Sequence, residues 1–193
     1  MTDRVEHAVV FGSAVEGFVK SLRSPLAPHV LQEFARLGID LEQPAPAYAL
    51  ENWETAMRFT ANDLYGSLPD DERYRQLGRD FIKGYIQTAF GKAALAFTRI
   101  IGPRRTLQRM SNNFRSAANY IGCEASDLRE RHVELRTWML PQFLPYWRNR
   151  PTFFVHYRHG VLEEMMAQQS VEARVETLSY QPEDQTARYS VTW

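Results

Sequence analysis

The sequence has a single cysteine, Cys123, so it lacks both the partner for an intramolecular disulfide and the thiolates of a cysteine-rich metal site. It carries no net charge, because 23 acidic residues balance 23 basic ones, and this excludes the overall positive charge typical of nucleic-acid-binding proteins. No apolar run approaches the roughly 18 residues that span a bilayer, and charged residues interrupt the apolar run that a signal peptide would need. We therefore expect a cytoplasmic protein that binds no nucleic acid and spans no membrane.

The sequence also lacks the motifs of several enzyme classes. It has no Gly-rich phosphate loop and no dinucleotide fingerprint. Ser13 lies in the glycine-containing segment FGSAVEG, but without the G-x-S-x-G spacing of a nucleophile elbow. No two carboxylates stand out as a general acid and a general base. The sequence therefore predicts a protein that is not an enzyme.

Apolar residues, in contrast, are plentiful: they make up 44% of the 193 residues, and aromatic residues alone make up 12%. A chain of this length can bury one good core, and no Pro/Gly/Ser-rich linker divides it. We expect a single domain over residues 1–193. Residues 1–119 would form a mainly helical subdomain, and residues 120–193 a subdomain of strands with one helix.

The last forty residues change their hydrophobic period. Between residues 154 and 165, apolar residues recur every three or four positions, which predicts an amphipathic helix. Over residues 171–175, and again over 187–193, they alternate with polar residues, which predicts two strands with one buried face. The turn-rich residues 181–184 would join these strands.

The rest of the chain follows the same two periods. Helices are predicted over residues 25–38 and 50–65, from 74 to 101 with a break near Gly91, and from Gly102-Pro103 onwards; strands are predicted over 123–128 and 132–138. Residues 8–22 are predicted as a short strand or as a strand that bends into a helix, with the short strand favoured, and residues 41–50 and 139–151 as loops. The resulting fold class is α+β, with an N-terminal helical subdomain packed on a small antiparallel sheet and a strand–strand–helix–strand–strand C-terminal half.

Aromatic residues cluster on the faces that we expect to pack together. They indicate either plain core or an apolar cavity between the helical half and the sheet, in which Arg115 and Asn119 would be polar anchors. The candidate ligand-binding residues are Phe81, Tyr85, Phe114, Arg115, Asn119, Tyr120, Trp138 and Tyr157. In the same region Gly78, Gly84 and Gly91 recur at six- and seven-residue intervals, which favours close approach of a neighbouring helix over contact with a ligand.

One set of residues has the spacing of metal ligands. His156, His159 and Glu163 lie three and four positions apart, so they share one helix face that could hold a metal. At 100° per residue, however, this face lies opposite the apolar stripe of the same helix. The favoured interpretation is therefore a solvated face without a metal.

Four segments resemble an uncharacterised family that is abundant in myxobacteria, a domain of unknown function, over almost the whole chain. They are AYALENW, YRQLGRDFIKGYIQTAFGKAAL, IGPRRTLQRMSNNFRSAANY and RYSVTW. This resemblance implies little about function.

The ending FFVHYRHGVLEEMMAQQSVEARVETLSYQPEDQTARYSVTW, after a helical half, resembles the ligand-binding fold of haem nitric-oxide sensor domains and of vinyl-reductase-type (V4R-like) sensor domains. The resemblance implies a small hydrophobic ligand held between the helical part and the sheet. In the haem sensors a histidine on the helix before the sheet binds the iron, and that helix corresponds to residues 103–118. This sequence has no histidine between His29 and His132, with Met110 and Phe114 at the inward positions, and it lacks the Tyr-x-Ser-x-Arg motif for the haem carboxylates. We therefore expect no haem and no other cofactor.

Three functional hypotheses follow. The first is a non-enzymatic cytoplasmic sensory or adaptor domain that binds a small apolar molecule and signals through protein contacts. The second is a structural or interaction protein whose pocket is filled by its own aromatic side chains, and the third is a metal-dependent enzyme that uses the His/His/Glu face. Zero net charge and an expected exposure of Trp147 and Trp193 predict a protein partner or self-association, such as a dimer.

Overall fold

The computed structural model describes residues 7–22, 26–146 and 153–193. Its helices and strands, in chain order, are β1 (Val9–Phe11), α1 (Gly12–Ser21), α2 (Pro28–Arg36), β2 (Ala47–Ala49), α3 (Leu50–Tyr65), α4 (Asp70–Tyr85), α5 (Ala89–Gln108), α6 (Met110–Ala117), β3 (Ile121–Arg129), β4 (His132–Met139), α7 (Phe154–Ala167), β5 (Arg174–Gln181) and β6 (Thr186–Thr192). A 3₁₀-helix over Pro141–Tyr146 follows β4. The predicted α+β fold, with its strand–strand–helix–strand–strand C-terminal half, is confirmed.

The C-terminal half forms a four-stranded antiparallel sheet in the order β3-β4-β6-β5. Its inner face carries the alternate residues that the period of two predicted, among them Val133, Leu135, Tyr189 and Val191, all of which are buried. Helix α7 packs on this face, where the Tyr189 hydroxyl donates a hydrogen bond to the Val155 carbonyl at 2.9 Å. The sheet therefore has one face against α7 and one outer face.

Two short segments differ from the prediction. Residues 8–22 begin as β1 and turn into α1 at Gly12, as in the second of the two alternatives. β1 pairs with β2, which lies in the segment predicted as a loop, and the Gly12 amide donates to the Pro46 carbonyl at 2.8 Å. A three-residue strand is too short to show a period, so its pairing partner decides its conformation.

The helical half breaks at both predicted places. The long helix divides between α4 and α5, where the Thr88 hydroxyl caps the new helix by accepting a hydrogen bond from the Gly91 amide at 2.9 Å. Within α5, Gly102 has φ 79° and ψ 170°, so the helix is kinked immediately before Pro103.

No helix in the described ranges is long and apolar enough to cross a membrane.

Strand β5 begins later than the alternation of Val171, Ala173 and Val175 predicted. Ser170 has φ 59° and reverses the chain after α7, and the ladder with β6 starts only at Arg174. Val171 and Ala173 are half-buried against the sheet but lie outside the strand.

Helix α7 is the central element of the molecule. Phe154 and Val161 belong to the hydrophobic cluster of the helical half. Val155, Leu162 and Met166 belong to the cluster above the sheet. α7 thus joins the two halves, while the single domain divided at residue 119 stays a prediction.

Candidate functional site

A cavity of about 370 Å³ lies among α4, α5, α6 and α7. Among the described residues, its lining is apolar except for Tyr85, Thr98 and Gln168, and its aromatic walls are Phe81, Tyr85, Phe90, Phe97 and Phe114. No strand residue lines it, so it lies within the helical layer rather than between the helical half and the sheet, where the sequence predicted it. The reason is that α7 itself covers the inner face of the sheet.

The cavity exists because the first part of α5 packs loosely. Gly91 is the only buried residue of α5 before the kink at Gly102. The side chains of Ala93 and Ala94 are too short to fill the space between α5 and α7. Phe90 and Phe97 line the cavity and yet are 55% and 45% exposed, so the cavity opens to solvent beside them.

A second cavity, of about 70 Å³, lies deeper in the molecule. Its walls include Tyr120, Tyr157 and Arg158. Four residues line both cavities, namely Phe81, Phe114, Ala117 and Val161. The two cavities are therefore neighbours on either side of these four residues.

The structure brings five of the eight predicted ligand-binding residues to these cavities. Phe81, Tyr85 and Phe114 line the larger one. Tyr120 and Tyr157 line the smaller one, together with Phe81 and Phe114. Their role in binding stays a prediction.

Arg115, Asn119 and Trp138 do not line either cavity, which corrects their predicted placement. Arg115 is exposed. Asn119 holds β1 instead: its Nδ2 donates to the His7 carbonyl at 2.9 Å, and its Oδ1 accepts from the Val9 amide at 2.8 Å.

Trp138 is on the outer face of the sheet, because the residues on either side of it in β4 are buried on the inner face. There the Arg136 guanidinium lies 5.3 Å from the centroid of its ring. Of the two polar anchors predicted for the pocket, Arg115 is therefore exposed and Asn119 binds β1. Trp193 was predicted to be exposed, but it is partly buried against the sheet cluster. Trp147 lies outside the described residues.

Helices α4 and α7 touch through their backbones. A Cβ atom on Gly78 would lie 2.1 Å from the Tyr157 carbonyl oxygen, and one on Gly160 would lie 1.9 Å from the Arg75 carbonyl oxygen. Since real side chains do not tolerate such distances, both positions require glycine. The interpretation of Gly78 as a packing glycine is confirmed.

The prediction of a solvated His/His/Glu face is wrong, because this face packs against α4. His159 is buried, with Nδ1 2.9 Å from the Thr177 hydroxyl and Nε2 3.3 Å from Glu163 Oε1. Glu163 also accepts hydrogen bonds from Arg75 at 2.5 Å and from Arg79 at 2.9 Å. Burial alone would raise the pKa of Glu163, but the contact with His159 and the hydrogen bonds from Arg75 and Arg79 outweigh it and lower the pKa to about 2. With its carboxylate held by two arginines, Glu163 is poorly suited to bind a metal.

The described residues contain one other group with metal-ligating atoms close together, Asp127, His132 and Glu134 in the β3–β4 hairpin. Their ligand atoms lie within 4.8 Å of one another. Arg129 pairs with Asp127 at 2.9 Å, and Arg188 donates a short hydrogen bond to Glu134. The arrangement is an ion-pair cluster, and sequence reasoning missed it because the hairpin register brings its members together.

The comparisons with known proteins agree with this fold. The sequence matches the model of a family described as a protein of unknown function, DUF2378, over residues 8–193. The chain belongs to this family. A search of the curated proteins gave no match for the DUF2378 chain.

Solved H-NOX domains share the fold of the DUF2378 chain. A doubly substituted Tt H-NOX has a TM-score of 0.67 at 14% identity, over 95% of this chain and 94% of that one. An oxygen-binding H-NOX domain related to soluble guanylate cyclases has a TM-score of 0.65 at 14% identity, over 94% and 93%. A substituted H-NOX domain of T. tengcongensis has a TM-score of 0.61 at 14% identity, over 94% and 96%. The predicted resemblance to the haem sensor fold is thereby confirmed, and at this identity it concerns the fold alone.

The residues of the larger cavity do not fit haem. Haem iron takes histidine, cysteine, methionine or tyrosine as axial ligands, and neither histidine nor cysteine lines the cavity. Tyr85 lines it, but burial raises the pKa of its phenol to about 12, which disfavours the phenolate that would bind iron. Met110 and Met165 lack a histidine or thiolate partner there, and among the described residues no lysine or arginine lines the cavity to pair with the haem carboxylates.

Proposed function

We propose that this DUF2378 protein is a non-enzymatic sensory or adaptor domain that binds a small apolar molecule, without haem, in the larger cavity. The observation that carries this proposal is the volume and chemistry of that cavity. About 370 Å³ of space with an almost entirely apolar lining lies within the usual range for small-molecule sites. We place the protein in the cytoplasm, since it has only one cysteine and therefore no intramolecular disulfide.

Two features support the interpretation that the larger cavity is a binding site rather than a packing defect. Protein interiors are close-packed, and voids larger than a water molecule are few. This cavity is far larger, and the helix above it is bounded by two breaks, at Thr88 and at Gly102. Helix α5 can therefore shift with little disturbance of the rest of the core.

We propose that helix α5 also transmits the effect of ligand binding to the protein surface. A ligand that fills the cavity adds contacts to α5 and shifts its population towards the position in which those contacts are made. On α5, Phe97 and Ile100 are 45% and 82% exposed, so a change in the position of α5 alters an apolar surface. A partner protein or a second copy of the chain could recognise this surface.

Those exposed residues also favour a second candidate, an interaction module that binds no ligand. Phe90, Phe97 and Ile100 lie within three turns of one helix, more apolar surface than a solvent-facing helix normally shows. In this alternative the α5 surface is covered by a protein partner, and the cavity is incidental. The two candidates differ in whether an apolar molecule binds beneath α5.

The test uses a fluorescent apolar probe, N-phenyl-1-naphthylamine, together with native mass spectrometry of the purified protein. We expect the probe to bind the wild-type protein, and Ala94→Phe, which fills the cavity, to weaken binding about tenfold or more. Ala96→Phe is the matched control, because Ala96 is exposed on the same helix and should leave binding unchanged. Equal effects of the two substitutions, or no binding to the wild-type protein, would overturn the proposal. A small-molecule mass that is lost on denaturation would support it independently.

A further inference from the structure

Arg158, a buried cation without an acidic partner among the described residues, lines the smaller cavity. Arg158 is 3% exposed, and a guanidinium stays protonated inside proteins. Its Nη1 donates to the Thr137 hydroxyl at 3.2 Å, and its guanidinium carbon lies 5.8 Å from the centroid of the Phe154 ring. Its Nε has no hydrogen-bond partner. Within residues 7–22, 26–146 and 153–193, no carboxylate forms an ion pair with it.

An unpaired charge of this kind is costly. Moving an ion out of water destabilises the protein even after the protein relaxes, unless a counter-ion or a full set of hydrogen bonds compensates. Buried arginines are for that reason almost always paired. Thr137 and the Phe154 ring supply one neutral hydrogen bond and one cation–π contact, and the Nε–H group still lacks an acceptor.

The carboxylate of Glu54 does not neutralise Arg158. Glu54 is buried as well, but its Oε1 lies 3.9 Å from Arg58 Nη1, on its own helix. Tyr120 and Tyr157 line the cavity beside Arg158, and burial raises the pKa of both phenols, so both keep their protons. The polar groups of the described lining residues thus include one cation and two phenols, a set suited to an anion.

The volume limits the size of that anion. About 70 Å³ corresponds to roughly two water molecules at about 30 Å³ each. A carboxylate fits this space, whereas a larger charged group such as a nucleotide phosphate chain does not. Arginine binds carboxylates with two parallel hydrogen bonds, which is the strongest geometry available to it.

We infer that the ligand is an apolar monocarboxylic acid, whose carboxylate binds Arg158 in the smaller cavity while its hydrocarbon part lies in the larger one. This inference rests on the proposed function and narrows its ligand class. The two spaces adjoin at Phe81, Phe114, Ala117 and Val161, and such a ligand requires the Phe114 or Phe81 ring to rotate and open a passage between them. Side-chain rotations of this kind are common when a ligand binds.

The test compares decanoic acid with 1-decanol, which have the same chain length and differ in charge, by calorimetric titration at neutral pH. We expect the wild-type protein to bind decanoate about tenfold or more tightly than decanol. Arg158→Met should abolish this preference while decanol still binds. Arg115→Met is the matched control, because Arg115 is exposed and lines neither cavity, and it should leave the preference unchanged.

The outcomes separate this inference from the function on which it rests. If decanol binds and decanoate binds no more tightly, the carboxylate site is overturned and the apolar cavity stands. If neither compound binds, the inference is overturned, and the proposed function is overturned with it when N-phenyl-1-naphthylamine fails to bind as well. Arg158→Met is expected to fold, since an unpaired buried charge is replaced by an apolar side chain. Should it not fold, Arg158→Lys, which keeps the charge but loses the paired donors, must reduce the preference for decanoate for the inference to hold.

Discussion

Helix α7 has two sides that are packed in opposite ways. Against α4, its backbone is in direct contact at Gly160, and Glu163 is bound by Arg75 and Arg79. Against α5, it faces a cavity of about 370 Å³. The first side leaves no room for a single extra methyl group, and the second leaves room for a small molecule.

This contrast indicates that the two sides of α7 differ in role, one in the stability of the fold and the other in the proposed binding. The α4–α7 contact joins the helical half to the helix that covers the sheet, so the stability of the fold depends on it. The α5 side contributes few buried residues, and regions of this kind open at low free-energy cost and are where binding and movement occur. Three substitutions test whether changes on the α4 side of α7 cost more unfolding free energy than a change on the α5 side.

The largest loss of unfolding free energy is expected for Gly160→Ala. The new Cβ would lie 1.9 Å from the Arg75 carbonyl oxygen, so the two helices must move apart, which we expect to cost about 3 kcal/mol of unfolding free energy. Urea denaturation measures it. The control is Ala96→Gly on the exposed side of α5, which changes one methyl group and should cost about 1 kcal/mol through helix propensity. A smaller loss for Gly160→Ala than for the control would mean that the α4–α7 contact is not close-packed.

An intermediate effect is expected for Glu163→Gln. Removing the charge weakens the hydrogen bonds from Arg75 and Arg79, which should cost about 2 kcal/mol at neutral pH. The folded-state pKa of Glu163 is about 2, below its ordinary value of 4.5. The stabilisation is therefore fully present above pH 4.5 and is lost as the pH falls towards 2.

Urea denaturation at pH 7 and at pH 3 checks this expectation, because the gap between wild type and Glu163→Gln should narrow at the lower pH. Glu16→Gln is the control, since Glu16 is exposed and lies 3.8 Å from Lys20, and it should change stability by less than about 0.5 kcal/mol. A gap that is constant with pH would show that the carboxylate charge does not stabilise the α4–α7 side.

The smallest effect is expected for Ala94→Leu. This substitution adds three carbon atoms, but they enter the cavity beneath α5, so the unfolding free energy should change by less than about 1 kcal/mol. The same denaturation experiment measures it. A loss near that of Gly160→Ala would show that α5 closes onto α7 in solution and would remove the contrast between the two sides.

The sequence predicted those elements whose pattern is long enough to be read locally. α3 was predicted with the bounds it has, and β4 and β6 follow from strict alternation. The short β2 and the true start of β5 were missed, because a pairing partner distant in sequence decides them. Trp138 could have been placed correctly, since the same alternation that buries Leu135 and Thr137 directs it to the outer face.

The candidate site was predicted only in part, for a related reason. The helical spacing of His156, His159 and Glu163 was correct, but a helix pattern shows which residues share a face and not what packs against that face. α7 is buried on nearly all sides, so the face opposite its apolar stripe is also in the interior. The aromatic residues at the cavities were recognised, whereas Arg158 gave no signal, because a single arginine on a helix is normally exposed.

By itself, the sequence determined where the long helices break and which segments alternate as β4 and β6, because glycine, proline and the two hydrophobic periods act through contacts within a few residues. Gly102 and Pro103 are the clearest examples. Only the tertiary structure decided which polar groups are paired and where space remains. Arg75 and Glu163 are 88 positions apart, and the cavity is bounded by four helices whose separation no local pattern contains. Pairing and volume depend on how distant segments meet, and they are therefore properties of the folded chain.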